Sequence, residues 1–246
     1  MGGEIGKEFM AGTRYRAMGP PDQSRGRAAP PLEMPLGPTE DIVQIPQPGK
    51  FAVAPLDLSL AIERRQSLRE YRPEPLSLEE LSYLLWCTQG VKQVLGAQAT
   101  RRTVPSAGAR HAFETFLLIN RVETLHPGLY RFLAIEHKLA RLPAPADVAD
   151  RAVEACLGQD FVATGAATFM WVADVYRMTW RYGQRGYRYL HLDAGHVCQN
   201  LYLAAEAVDC GACGIGAFDD HKVNALLGLD GQKHFAIYLA AVGKKP

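Results

Sequence analysis

Residues 187–208, YRYLHLDAGHVCQNLYLAAEAV, carry the strongest helical pattern in the chain. Leu190, Ala194, Val197, Leu201, Ala204 and Val208 recur at alternating three- and four-residue spacing, the signature of one apolar helix stripe. Cys198, Leu203 and Ala205 carry apolarity to other faces, which predicts a helix buried at the centre of the fold. Gly195 inside it costs about 1 kcal/mol relative to alanine. Either another backbone passes close by, or the glycine is simply tolerated.

Around this helix the pattern is α plus β. Ser77-Leu78-Glu79-Glu80 reads as a capping box, with Leu76 and Leu81 spaced as its hydrophobic staple and Gly90 suited to the far end. Leu81, Leu84 and Leu85 mark the inner face. Thr115–Asn120 and Gly128–Leu133 read as strands joined through a turn at His126-Pro127-Gly128. Ala146–Leu157 is a helix, Ala167–Ala173 a buried strand, and Cys213–Ala217 a short strand or loop. Asp219 caps a helix that ends near Gly228, stapled by Phe218 and Val223. His234–Val242 is the last strand.

Residues 1–50 differ from the remainder, 51–246. Eight prolines (Pro20, Pro21, Pro30, Pro31, Pro35, Pro38, Pro46 and Pro48) with scattered glycines exclude a helix or central strand of any length there. The segment is either a flexible tail or an extended arm over the domain or a partner subunit. Phe9, Met10, Met18, Leu32, Ile42 and Ile45 give it apolar surface to bury.

Length and charge narrow the class further. The 246 residues suit one compact domain, alone or with an appended arm. Lys and Arg number 27 and Asp and Glu 26, a net charge of +1 that supplies no general attraction for nucleic acid or an anionic membrane. No apolar stretch reaches the roughly 18 residues of a membrane-spanning helix. The opening MGGEIGKEFMAG lacks a secretory pattern, and Gly6 stands where myristoylation of Gly2 would want Ser or Thr. Five cysteines, an odd count, suit a reducing cytoplasm.

Cys210-Gly-Ala-Cys213 could be a redox pair or half a zinc site, but no second Cys/His pair completes one, and structural thiols are the better reading. His191 and His196, five apart on a helix, diverge too far to share a metal, so no metal site is expected. Neither a G-x-S-x-G elbow nor a phosphate loop is present. Gly211, Gly214 and Gly216 suggest backbone close to a ligand. Arg64, Arg65, Ser67 and Arg69 fall within six residues and could converge on a phosphate, because arginine presents forked donors and serine completes the shell. The alternative is a solvated basic face paired with Glu63 and Glu70. Pro105-Ser106-Ala107-Gly108 is small enough to pass beneath a planar ring, and Gly243-Lys244-Lys245 brings an ammonium to a sheet end.

Taken together, ERRQSLREY (63–71), PSAGARH (105–111), GLY (128–130), YRYLHLDAGHVCQNLYLAAEA (187–207), GACGIGAFDD (211–220) and YLAAVGK (238–244) resemble the nitroreductase family of FMN enzymes, in its SagB-like branch. GKEFMAGTRYR (6–16) is similar to that branch as well. The resemblance implies an α+β fold with a central mixed or antiparallel sheet flanked by helices, and FMN at a homodimer interface. It implies that Arg64, Arg65, Ser67 and Arg69 hold the FMN phosphate and ribityl chain and that Lys244 reaches the phosphate. Pro105, Ser106, Ala107 and Gly108 would line the flavin from the other subunit. Ile215, Gly216 and Ala217 would present backbone N–H groups near its N5 edge.

The activity implied is hydride transfer through flavin N5 from NAD(P)H to an electron-poor small molecule. Two alternatives stand beside it. One is a peptide azoline dehydrogenase working with a cyclodehydratase; the other is a non-catalytic flavin-binding or interaction protein. Azoline dehydrogenases of the branch carry a Lys-Tyr pair just before the segment matching Gly183–Tyr189. Here the pair is Arg181-Tyr182. Arginine stays protonated and cannot serve as a general base, which leaves Tyr182 as the catalytic candidate.

Overall fold

The computed structural model describes residues 4–37 and 41–246; Gly2 and Pro38 lie outside the described residues. In chain order the elements are α1 (Ile5–Gly12), β1 (Asp41–Gln44), α2 (Leu58–Arg64), α3 (Leu78–Gln89), the hairpin β2 (Val91–Leu95) and β3 (Ala99–Arg102), then β4 (Phe113–Ile119), β5 (Gly128–Leu133) and β6 (Lys138–Arg141). There follow α4 (Val148–Ala155), α5 (Phe161–Thr164), β7 (Ala167–Asp174), α6 (Val175–Tyr182), α7 (Gly186–Glu206), β8 (Cys210–Ile215), α8 (Asp220–Leu226) and β9 (His234–Lys244).

Seven strands form one antiparallel sheet in the order β1-β6-β5-β4-β7-β9-β8. Strand periodicity sends alternate residues to opposite faces. On β7, Phe169 and Trp171 join the core under α3 and α7, while Met170 and Val172 join the core under α4 and α8. That double burial is why this strand reads as an unbroken apolar run. The predicted capping box forms as drawn, with Ser77 Oγ accepting from Glu80 N at 3.1 Å and Glu80 Oε2 accepting from Ser77 N at 2.8 Å.

One expectation fails in the amino-terminal segment, because Ile5–Gly12 is helical. These residues precede the first proline, Pro20, so nothing blocks a short helix there. β1 lies at a sheet edge. The described part of residues 4–37 lies on the domain: Arg185 donates to the Thr13 carbonyl at 2.7 Å, Trp180 to the Arg27 carbonyl at 3.0 Å, and Tyr176 to Asp22 at 3.0 Å. Beneath it, buried Arg177 donates to Glu114 at 2.7 Å and to Asp174 at 3.0 Å, tying α6 to β4.

Candidate functional site

α2 ends at Arg64, capped at its start by Asp57, whose side chain accepts from Leu60 N. The chain then extends alongside β8, with Ser67 bridged in parallel to Ala212 and Leu68 N donating to the Ala212 carbonyl at 3.0 Å. On an extended backbone, residues two apart share a face, so Arg65, Ser67 and Arg69 form one row. Arg64, on the helix, stands outside that row. Ser67 Oγ lies 2.9 Å from the Tyr202 hydroxyl, which accepts from Gly214 N at 2.7 Å. The Arg65 guanidinium sits 5.5 Å from the Tyr202 ring centre and that of Arg69 5.9 Å from the ring of Phe161. None of the ion pairs among the described residues involves Arg64, Arg65 or Arg69. Arg65 and Arg69, on the same face as the Ser67 hydroxyl and without a counter-charge among the described residues, fit a phosphate.

β8 ends at Ile215, and the next two residues, Gly216 and Ala217, are exposed. Their N–H groups have no acceptor among the described residues. A Cβ on Gly216 would meet nothing within 4 Å, so space stays open over this backbone. Such donors suit the electron-rich edge of a flavin ring.

The second cluster lies elsewhere on α7. Ser106 Oγ donates to Asp193 Oδ2 at 2.5 Å, Ala107 N to Asp193 Oδ1 at 3.2 Å, and His111 N to Ser106 Oγ at 2.9 Å. Burial raises the Asp193 carboxyl above its ordinary range, opposed by the hydrogen bond from Ser106. This lock holds Pro105–Gly108 against α7. Gly108 is left-handed (φ +58), and a Cβ there would fall 2.3 Å from the Tyr182 hydroxyl, so the approach requires glycine. Tyr182 packs edge-on against Tyr189 with ring centres 4.8 Å apart.

Nine residues separate Asp193 from Tyr202, which places them roughly 13 Å apart along α7 and on opposite sides of it. The chain therefore carries two polar clusters on opposite sides of α7. Lys244 reaches the sheet end, where its ammonium is engaged by Glu80 at 2.5 Å and by the Val208 carbonyl at 3.1 Å. Cys210 and Cys213 project to opposite faces of β8, one into each core. A Cβ on Gly195 would meet no described atom of the chain within 4 Å, so the close backbone approach does not occur among the described residues. Among the described residues no three His, Cys, Asp or Glu side chains gather as metal ligands, and no helix is long and apolar enough to cross a membrane.

Sequence reasoning missed Asp193 and Tyr202. Asp193 did carry a signal, an acid set among the apolar positions Leu190, Ala194 and Val197. Tyr202 carried none, because its partners come from residues 67 and 214.

Arginines beside a hydroxyl and open N–H donors, with a small-residue loop elsewhere on α7, are what the class of flavin-using oxidoreductases requires of a chain. The chain belongs to the nitroreductase family, whose pattern matches residues 62–244. It is 35% identical over 182 residues to the nitroreductase-type protein MJ1384 of Methanocaldococcus jannaschii, covering 74% of this chain and 88% of that one. A nitroreductase-type crystal structure from Ralstonia eutropha matches with a TM-score of 0.68 and 25% identity over 89% of this chain and 99% of that one. The Escherichia coli microcin synthetase McbBCD complex, solved with truncated pro-MccB17 bound, matches with a TM-score of 0.62 and 18% identity, covering 98% of this chain and 92% of that one.

Proposed function

We propose that this chain binds FMN between two copies of itself and passes hydride from NAD(P)H to an electron-poor small molecule. The observation that carries the reading is the Arg65–Ser67–Arg69 row, with no ion-pair partner among the described residues and bordered by the N–H groups of Gly216 and Ala217, which have no acceptor among them. Arg65, Ser67 and Arg69 hold the phosphate end and Arg64 adds positive charge nearby, whereas Lys244, expected to reach the phosphate, is instead paired with Glu80. Ile215, Gly216 and Ala217 line the N5 edge, and Pro105, Ser106, Ala107 and Gly108 of the second copy cover the ring. FMN supplies a two-electron carrier; the protein supplies position and field.

The opposed clusters on α7 favour a homodimer. So do exposed apolar groups along its open surface: Leu192 on α7 is 56% exposed, and Leu58 and Ile62 on α2 are 63% and 54% exposed. The free cysteines suit a reducing cytoplasm.

A second reading is azoline oxidation in a modified peptide beside a cyclodehydratase. It is favoured by the likeness to the microcin synthetase complex, which extends over the arm as well as the domain. In that case Tyr182 is the proton acceptor, since Arg181 cannot be one.

An absorption spectrum of the purified protein followed by anaerobic titration with NADH and NADPH tests the proposal. A yellow protein bleached by either nucleotide is expected. A flavin that only a cyclised peptide reduces would establish the second reading, and a colourless protein that takes up no FMN would refute both.

A further inference from the structure

We propose that the cavity between the amino-terminal arm and α6–α7 receives the molecule that exchanges hydride with the flavin, and that Arg181 selects one carrying an oxyanion on a planar frame. The proposal rests on the flavin reading above and adds the chemistry of the ligand. The cavity holds about 410 Å³, enough for one or two rings. Met18, Pro20 and Pro21 of the arm form one wall, and Tyr182 and Tyr189 the other. Its floor adjoins the Pro105–Gly108 loop, since Gly108 packs directly against Tyr182 and Arg181.

The walls are flat and apolar, and the charge is one-sided. Arg181 and Arg185 line the cavity and no Asp or Glu does. Arg185 spends two donors on the Tyr189 hydroxyl (2.7 Å) and the Thr13 carbonyl (2.7 Å), which fixes the arm. Arg181 makes no hydrogen bond or ion pair among the described residues; its guanidinium lies 5.7 Å from the Tyr182 ring centre. Behind it, Arg110 stacks 5.2 Å over Trp180 and donates to the carbonyls of Gly108 and Gln98. Asp22 of the arm accepts from Tyr176 and pairs with Arg25. Half-buried arginines grouped without an acid repel one another, and a bound oxyanion removes that repulsion. A guanidinium fork matches carboxylate and phosphate alike. The oxyanion therefore comes either from an acceptor's carboxylate or from the extra phosphate that distinguishes NADPH from NADH.

The holoenzyme is titrated with benzoate and with benzyl alcohol, binding being followed by tryptophan fluorescence, in wild type, Arg181→Gln and Arg181→Lys. Steady-state kinetics then compare 4-nitrobenzoate with nitrobenzene, and NADPH with NADH. Benzoate is expected to bind at least about tenfold tighter than benzyl alcohol, and Arg181→Gln to remove that advantage while Arg181→Lys keeps most of it. A rise in KM confined to NADPH in Arg181→Gln would assign the oxyanion to the nucleotide and support the proposal through that source. Equal binding of the two probes by wild type, with nucleotide and acceptor preferences unchanged in Arg181→Gln, would overturn it. A protein that lacks FMN yet binds benzoate through Arg181 would refute the flavin reading and leave the cavity's selectivity standing.

Discussion

The two clusters on α7 are built on opposite principles. Around Asp193 every donor has its acceptor: Ser106, Ala107 and His111 close a buried circuit. Around Tyr202, beyond the bonds to Ser67 and Gly214, the guanidiniums of Arg65 and Arg69 lack counter-charge and the Gly216 and Ala217 N–H groups lack acceptors among the described residues. A closed circuit stores stability, whereas an open one stores affinity for something outside the chain. Substitutions in the two places should therefore be read by different instruments.

Replacing both Arg65 and Arg69 with alanine should give the largest effect. Charge-assisted contacts contribute about 1.5–3 kcal/mol each, so FMN affinity should fall by two orders of magnitude or more while the melting temperature of the apo protein barely moves. Unchanged FMN occupancy, measured by fluorescence titration, would erase the distinction between the clusters.

Acid should weaken the fold through two buried imidazoles, His111 beside the closed circuit and His137 against Ser82 of α3. Burial, aided by the charges of Arg102 and Arg110, pushes His111 down to about 3, and burial pushes His137 down to about 4. Below the unfolded value near 6.5, the unfolded chain takes up protons that these folded imidazoles refuse, so stability is lost as pH falls from about 6.5 towards those lower values. Each histidine adds a slope of up to about 1.4 kcal/mol per pH unit. Urea midpoints between pH 7 and 5 should show this slope, and His111→Gln should flatten it; an equal slope in that variant would reject the assignment.

Asp193→Ala should cost about 1–3 kcal/mol by stranding the Ser106 hydroxyl and the Ala107 N–H, a drop of roughly 2–4 °C in Tm for each kcal/mol. Calorimetry of the apo protein reads it without any contribution from cofactor. If Tm stays put and only FMN binding suffers, the circuit is part of the ligand site instead.

The smallest change is expected at Tyr182, which packs against the loop of the closed cluster. Hydride transfer from a nicotinamide needs stacking and short distance rather than a base, so Tyr182→Phe should leave flavin reduction within about threefold in stopped flow. A slowing on the order of a hundredfold would give Tyr182 a direct part in that step.

Local rules made much of the fold legible. The capping box at Ser77, the stripe on α7, the apolar run of β7 and the Asp219 cap depend on neighbours in sequence, and each forms where the pattern places it. What stayed hidden depends on distant partners. α6 contains Arg177, which reads as a surface residue until Glu114 and Asp174 arrive from β4 and β7 to neutralise it. The β2–β3 hairpin is largely exposed and shows no apolar alternation. α1 was missed because the prolines of residues 20–48 coloured the reading of a proline-free stretch before them. At the site, the Arg65–Ser67–Arg69 row was visible because its spacing is local, but Tyr202, which links Ser67 to Gly214, is defined only by tertiary contact.

The placement of the cysteines bears on what a redox protein must avoid. Cys210 and Cys213, three apart on a strand, point away from each other and cannot be joined without breaking β8. Burial pushes Cys156 up to about 11, and Cys198 and Cys210 up to about 12, so reactive thiolate is scarce at neutral pH. Those three thiols hold too little thiolate to start thiol exchange, so on the flavin reading they stay chemically silent while the molecule cycles between oxidised and reduced states.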